Sequence, residues 1–166
     1  MAEASLPDLA ARAVAALAEA GLTLSCAEAD TGGGIGAALI DVAGVSRVFR
    51  GGVVAYANGP KRDLLGVPDA TLRAQGSVSE ETTLAMAEGA RRVFATDVAI
   101  AQSGVTGPGG GTPERPVGTV WIACAGPGER RVLERHVWPH DRAGNKQATI
   151  VRALEMIIEA AQAADA

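Results

Sequence analysis

The sequence predicts an α/β domain, a three-layer α/β/α sandwich built on a mixed central sheet. Three observations carry this. Short β-prone apolar stretches alternate with segments whose apolar residues recur at helical spacing. The first such strand runs into a glycine-rich joint, Thr23–Gly36 (TLSCAEADTGGGIG), that opens a helix. Late in the chain two strands are separated only by a tight turn, which makes an antiparallel hairpin and turns an otherwise parallel sheet into a mixed one.

Each element follows from local chemistry. Ser5 is placed to cap a first helix, with Pro7 tolerated in its first turn. Leu6, Ala10, Ala13, Val14 and Leu17 form its apolar stripe, and Gly21 ends it. The strand Thr23–Ala27 and the glycine joint follow, and a second helix runs to about Val42. Gly51–Ala57 reads as a strand with Tyr56 near its end. Asn58-Gly59-Pro60 is a turn, and Lys61 begins a short helical piece that ends near Gly66. Asp69–Arg73 suggests one more helical turn. Ser79 caps a long helix, with Glu80 and Glu81 set against its dipole. Leu84, Met86, Ala87, Ala90, Val93 and Phe94 are its expected buried face. Asp97–Gln102 is a buried strand, and Gly118–Ala125 and Arg131–Trp138 form the hairpin. Asp141 caps a last helix that buries Ile150, Leu154, Ile157, Ile158 and Ala161.

Composition narrows the function. The 166 residues suit one domain, 1–166, with its core over about 9–161. Net charge is −4 with no basic run, which disfavours nucleic-acid binding. Cys26 and Cys124 fall inside strands and read as small buried hydrophobes of a reduced, cytoplasmic protein. Two cysteines and two histidines without ligand spacing predict no metal. The start, MAEASLPDLA, lacks the basic and apolar regions of a signal peptide, and no apolar run reaches membrane-spanning length.

Ligands in such folds gather at strand ends. Three loops qualify: Glu28–Gly34, Tyr56–Lys61 and Ser103–Pro116 (SGVTGPGGGTPERP). In the first, the glycines let a ligand approach the backbone, and a helix N-terminus attracts anions. Its plainer alternative is a glycine turn with Asp30 or Thr31 as the helix N-cap. Lys61 is either a solvated surface lysine or, with Tyr56 beside the glycine joint, a partly desolvated general base. The long loop offers main-chain N–H groups and the hydroxyls of Thr106 and Thr112, suited to a phosphate or carboxamide. Arg142 and Lys146, four residues apart, share one face near the start of the last helix, either a solvated face or one that reaches an anion in the cleft. A lone loop histidine such as His140 carries no special role.

These pieces, in this order, resemble the CinA C-terminal-domain family, which includes stand-alone nicotinamide-mononucleotide amidohydrolases. The matching stretches are Ala27–Gly33, Gly51–Val67 (GGVVAYANGPKRDLLGV), Gly76–Thr82 (GSVSEET), Ser103–Trp121 (SGVTGPGGGTPERPVGTVW) and Asp141-Arg142. The resemblance implies the α/β/α sandwich, association as a homo-oligomer, no cofactor and no metal. It also implies hydrolysis of the carboxamide of nicotinamide mononucleotide to nicotinic acid mononucleotide and ammonia, by a serine–lysine mechanism. By that resemblance Lys61 takes the nucleophile's proton, Tyr56 assists it, and Glu28, Asp30, Gly32 and Gly33 surround the substrate. Ser103, Gly104, Thr106, Gly107, Gly109, Gly110 and Arg142 hold the rest of the nucleotide. The family's AESCTGG reads AEADTGG in this chain. Ala29 stands at the nucleophile position and Asp30 at the neighbouring cysteine position. Alanine has no nucleophilic atom. Three expectations follow: a pyridine-nucleotide-binding or regulatory relative with little or no amidase activity, a hydrolase acting through Thr31 or an Asp30-activated water, or an assembly module. Asp30 is also a possible salt-bridge partner that holds Lys61 charged.

Overall fold

The computed structural model describes residues 4–164. Five strands form one sheet: β1 (Leu24–Glu28), β2 (Phe49–Val54), β3 (Val98–Gly104), β4 (Thr119–Ala125) and β5 (Arg131–Val137). Their order across the sheet is β2-β1-β3-β4-β5. β1 pairs in parallel with β2 and β3, and β3–β4 and β4–β5 are antiparallel, so the sheet is mixed.

Side chains alternate across this sheet, and the two faces differ in size. Leu24 and Cys26 of β1, Val98 and Ile100 of β3, and Val120, Ile122 and Cys124 of β4 face a core shared with α1 (Leu6–Glu19), α2 (Gly34–Ile40) and α6 (Arg142–Ala164). The opposite face is lined by Ala27, Ala99, Ala101, Ala123 and Ala125, which lie against Met86, Ala87 and Ala90 of α5 (Glu80–Phe94). The short helices α3 (Asn58–Asp63) and α4 (Asp69–Gln75) lead into α5. An alanine-lined face lets a helix lie close to the sheet. At Gly89 there is no room for a side chain, because an added methyl would run into the Leu65 carbonyl.

The caps form as the sequence implies. Ser5 accepts from Asp8 N, Ser79 accepts from Thr82 N, and Asp141 Oδ1 accepts from Gly144 N at 2.8 Å. Two details differ. β2 begins at Phe49, two residues early, because Leu24 pairs with Phe49 across an irregular register before regular pairing starts at Gly51. Val93, expected in the core, is 51% exposed, since α5 turns its Met86–Ala90 face to the sheet.

Candidate functional site

The glycine joint folds as a tight turn. Gly32 and Gly33 take positive φ angles of 64° and 94°, a region L side chains rarely occupy. Gly32 N donates to Ala29 O at 3.2 Å, and Gly34 N donates to Thr31 O at 3.2 Å. The N-cap of α2 is Gly33, which has no side chain to cap with, so neither Asp30 nor Thr31 caps the helix. Glu28 does this work from the end of β1. Its Oε2 accepts from Ile35 N at 3.0 Å and from the Thr31 hydroxyl at 2.5 Å, and its Oε1 accepts from Gly36 N at 2.9 Å. The expected anion site at the start of α2 is therefore filled by the protein's own carboxylate. Glu28 supports the turn, and Gly32 and Gly33 shape it.

The Thr31 hydroxyl is committed twice. It donates to Glu28 and accepts from the buried amide of Gln102. A hydroxyl with its proton and a lone pair so engaged is poorly placed as a nucleophile.

Lys61 is 1% exposed, the largest fully buried side chain described. Its side chain runs inward to Ser77 and to Ser103 near the end of β3. Its ammonium bonds the Ser77 hydroxyl, reaches Ser77 O at 3.5 Å and approaches Ser103 Oγ at 3.4 Å. Ser103 Oγ in turn donates to Ser77 O at 2.8 Å. Burial lowers the lysine pKa from 10.5 to about 8, against a partial upward pull from Asp30. An amine poised near neutrality beside two hydroxyls can act as a general base.

Ala29 and Asp30 are buried at the mouth of the turn. Burial raises the Asp30 carboxyl above its ordinary range; its own N–H, Lys61, the Gly104 N–H and Arg142 pull it back down. Among the described residues no hydrogen bond closes on either carboxylate oxygen. The Asp30–Lys61 salt bridge entertained from the sequence does not form within 4.0 Å; the two groups attract each other across a gap.

The start of α6 braces the long loop. Arg142 donates to Gly107 O at 2.7 Å, and the buried Asn145 amide donates to Thr106 O at 3.1 Å. Asn145 is fixed in turn by His140 N, which donates to its side-chain oxygen at 3.1 Å. Thr106, Pro108, Val117, His140, Asp141, Arg142 and Ala143 line a cleft of about 600 Å³. Ser103 and Thr106 are buried, Gly104 is half-buried and Gly107 buried, while Gly109 and Gly110 are exposed at the loop tip.

The structure thus brings Asp30, Lys61, Ser103, Gly104 and Arg142 into one electrostatic neighbourhood. It does not bring Tyr56 into it: Tyr56 is 66% exposed, and among the described residues no hydrogen bond links it to Lys61. Sequence reasoning missed Ser77, Gln102 and Asn145. Ser77 lay inside a stretch already singled out, Gly76–Thr82, but nothing local marks it as a lysine partner. Asn145 sits between Arg142 and Lys146 on the first turns of α6, and that position was the available signal.

The family model described as CinA C-terminal domain matches residues 6–161. The chain belongs to this family. A CinA-like protein of Parasynechococcus marenigrum is 49% identical over 150 residues, covering 90% of this chain and 36% of that protein. A CinA-like protein of a Synechococcus species is 50% identical over the same length and shares of each chain. The chain therefore spans about a third of the length of the curated relatives it matches. Among solved structures, the competence/damage inducible protein CihA of Agrobacterium tumefaciens superposes with a TM-score of 0.90 at 38% identity, covering 96% of this chain and 97% of that one. A CinA superfamily protein of Klebsiella pneumoniae gives 0.91 at 31% identity, covering 96% and 99%. The mixed sheet covered by helices on both faces is the CinA-type sandwich. No helix among the described residues is long and apolar enough to cross a membrane.

Proposed function

We propose that this CinA-type domain is a nicotinamide-nucleotide amidohydrolase relative that binds a pyridine mononucleotide and hydrolyses it weakly or not at all. The observation that carries this is a buried lysine with its pKa lowered to about 8, taken with the family resemblance, which sets Ala29, a residue with no nucleophilic atom, at the nucleophile position. Hydrolysis of a carboxamide by this route needs an oxygen that attacks the carbonyl carbon. It also needs a base for that oxygen's proton and donors for the resulting oxyanion. Lys61 supplies the base. The position of Ala29 supplies no attacking atom. The Arg142–Thr106 cleft suits a phosphorylated ribose, with a guanidinium and loop main chain at hand.

A second reading rests on Ser103, whose hydroxyl lies 3.4 Å from the lysine nitrogen. Its proton rests on Ser77 O, so this reading needs the hydroxyl to rotate off that carbonyl and onto a neutral Lys61 before it can sustain a slow amidase.

The test is ammonia release from nicotinamide mononucleotide by wild type, Ala29→Ser and Ser103→Ala, beside thermal melts with and without the nucleotide. A ligand that binds the folded state raises the melting temperature. The binder reading expects an inert, ligand-stabilised wild type and turnover in Ala29→Ser. Wild-type turnover lost in Ser103→Ala establishes the second reading. No stabilisation and no turnover in any variant refutes both and leaves an assembly module.

A further inference from the structure

Among the described residues the Lys61 ammonium has hydrogen-bond partners only on Ser77 and Ser103. Ser77 meets the amine with its hydroxyl and, at 3.5 Å, with its carbonyl. The same carbonyl accepts from Ser103 Oγ at 2.8 Å, so the Ser103 hydroxyl, 3.4 Å from the amine, is itself held by Ser77. Ser77 lies between α4 and α5 on a stretch tied down from two sides. The Gly76 carbonyl accepts from the Thr82 hydroxyl of α5 at 2.7 Å, and the Gln75 carbonyl accepts from Arg115 of the long loop at 2.9 Å. A half-buried serine on a fixed stretch thus supplies most of the polar surroundings of a buried lysine 16 positions earlier.

A base changes charge each time it takes or gives a proton. A buried base keeps its place through that change only if its partners serve both forms. A carbonyl accepts only, so it serves the ammonium alone. A hydroxyl accepts from the ammonium and donates to the neutral amine. The Ser103 proton is spent on Ser77 O, which leaves the Ser77 hydroxyl as the group free to turn between the two roles. The charged groups nearby do not substitute for it. Asp30 attracts the ammonium across a gap without a bond, and a carboxylate has no proton to give a neutral amine. Arg142, on the far side of Asp30, is held by the Gly107 carbonyl. We propose that Ser77 is the positioning residue of the candidate base, its hydroxyl holding the Lys61 nitrogen in place in both the charged and the neutral form. This rests on the reading above in which Lys61 acts as the base, and it names what keeps that base aimed.

The experiment is an NMR titration of the lysine side-chain nitrogens in wild type, Ser77→Ala and Ser77→Thr. Lys61 and Lys146 are the chain's two lysines, so protein made with isotope-labelled lysine gives one signal for each, and Lys146 serves as the internal reference. In wild type the Lys61 signal should titrate near 8. The bond to the ammonium is the stronger of the two that the hydroxyl makes, because it is charge-assisted. Ser77→Ala should therefore lower the Lys61 midpoint by about one pH unit and leave Lys146 where it was. Ser77→Thr keeps the hydroxyl and should return the midpoint to the wild-type value, a rescue that a merely structural role for residue 77 would not produce. A Ser77→Ala midpoint equal to or above that of wild type overturns the assignment while leaving Lys61 a poised base. A Ser77→Thr midpoint that follows the alanine variant also overturns it. A wild-type Lys61 midpoint near the ordinary 10.5 refutes the base reading itself, and the assignment with it.

Discussion

Replacing Lys61 by methionine should change the pH dependence of folding in a defined window. A methionine keeps most of the length and removes the charge. The depression of the lysine pKa from 10.5 to about 8 means the fold disfavours the ammonium by about 3 kcal/mol, taking about 1.4 kcal/mol per pKa unit. Below pH 8 both folded and unfolded wild type are protonated, so wild type carries the whole penalty. Between pH 8 and 10.5 the folded lysine is neutral while the unfolded one still binds its proton. Wild-type stability therefore rises with pH in that interval, at up to about 1.4 kcal/mol per unit. Lys61→Met has no such group, and subtracting the two removes every other titration they share. Losing the bond to Ser77 offsets part of the gain, because that hydroxyl loses a partner. Urea unfolding of both proteins at pH 7, 8, 9 and 9.5 should show the variant more stable by about 1–2 kcal/mol at pH 7. That advantage should shrink as pH rises and reverse near pH 9.5. A difference constant across those four pH values would show that Lys61 titrates normally and is no poised base.

Under the proposed chemistry, Ala29→Ser should carry a matching kinetic signature. In Ala29→Ser, amidase turnover should climb about tenfold per pH unit up to pH 8 and level off above it, as the lysine becomes neutral; a profile flat from pH 6 to 9 would remove Lys61 from the role of base. Gly89→Ala tests the tight seam between α5 and the α3–α4 connection. The added methyl improves helix propensity by about 1 kcal/mol but meets the Leu65 carbonyl, so we predict a net loss of about 2 kcal/mol and a melting temperature lowered by several degrees; a stabilised variant would mean the seam gives way freely. Glu28→Ala leaves Ile35 N and Gly36 N without their acceptor and frees the Thr31 hydroxyl, with an expected cost of about 3 kcal/mol or more in urea unfolding; a loss under about 1 kcal/mol would deny Glu28 its role in holding the turn.

The fold was legible because its signals are local and mutually consistent. Ser5, Ser79 and Asp141 announce three helices, and the period-two alternation of β3 and β4 sorts large side chains from alanines on the two faces. The site was legible in outline for the same reason: glycine joints and long loops fall at strand ends. What could not be read is what tertiary contacts decide. Lys61 follows a turn and sits among charged residues, a pattern that describes a surface lysine, yet its side chain is buried and its ammonium finds partners on Ser77 and Ser103, 16 and 42 positions away. Glu28 ends a strand, and nothing in its neighbours says that its side chain will reach seven and eight residues forward to cap a helix. Tyr56 fails the opposite way: it lies two residues past the end of β2, near Lys61 in sequence, and the backbone between them leaves it in solvent.

Lys61 and Asp30 are two buried charged residues of the candidate site that the fold does not pair with each other. Each is buried and shifted against its charged form, the lysine downward and the carboxyl upward, with burial as the main cause in both. If the fold alone governed them, direct contact would relieve both, since a buried ion pair costs less than two buried charges held apart. The chain instead ties the lysine to Ser77 and Ser103, whose own positions are fixed by a further hydrogen bond, and sets the Gly104 N–H, not the ammonium, beside the carboxyl. Strain of this kind persists where function needs it and is relieved by substitution where function does not.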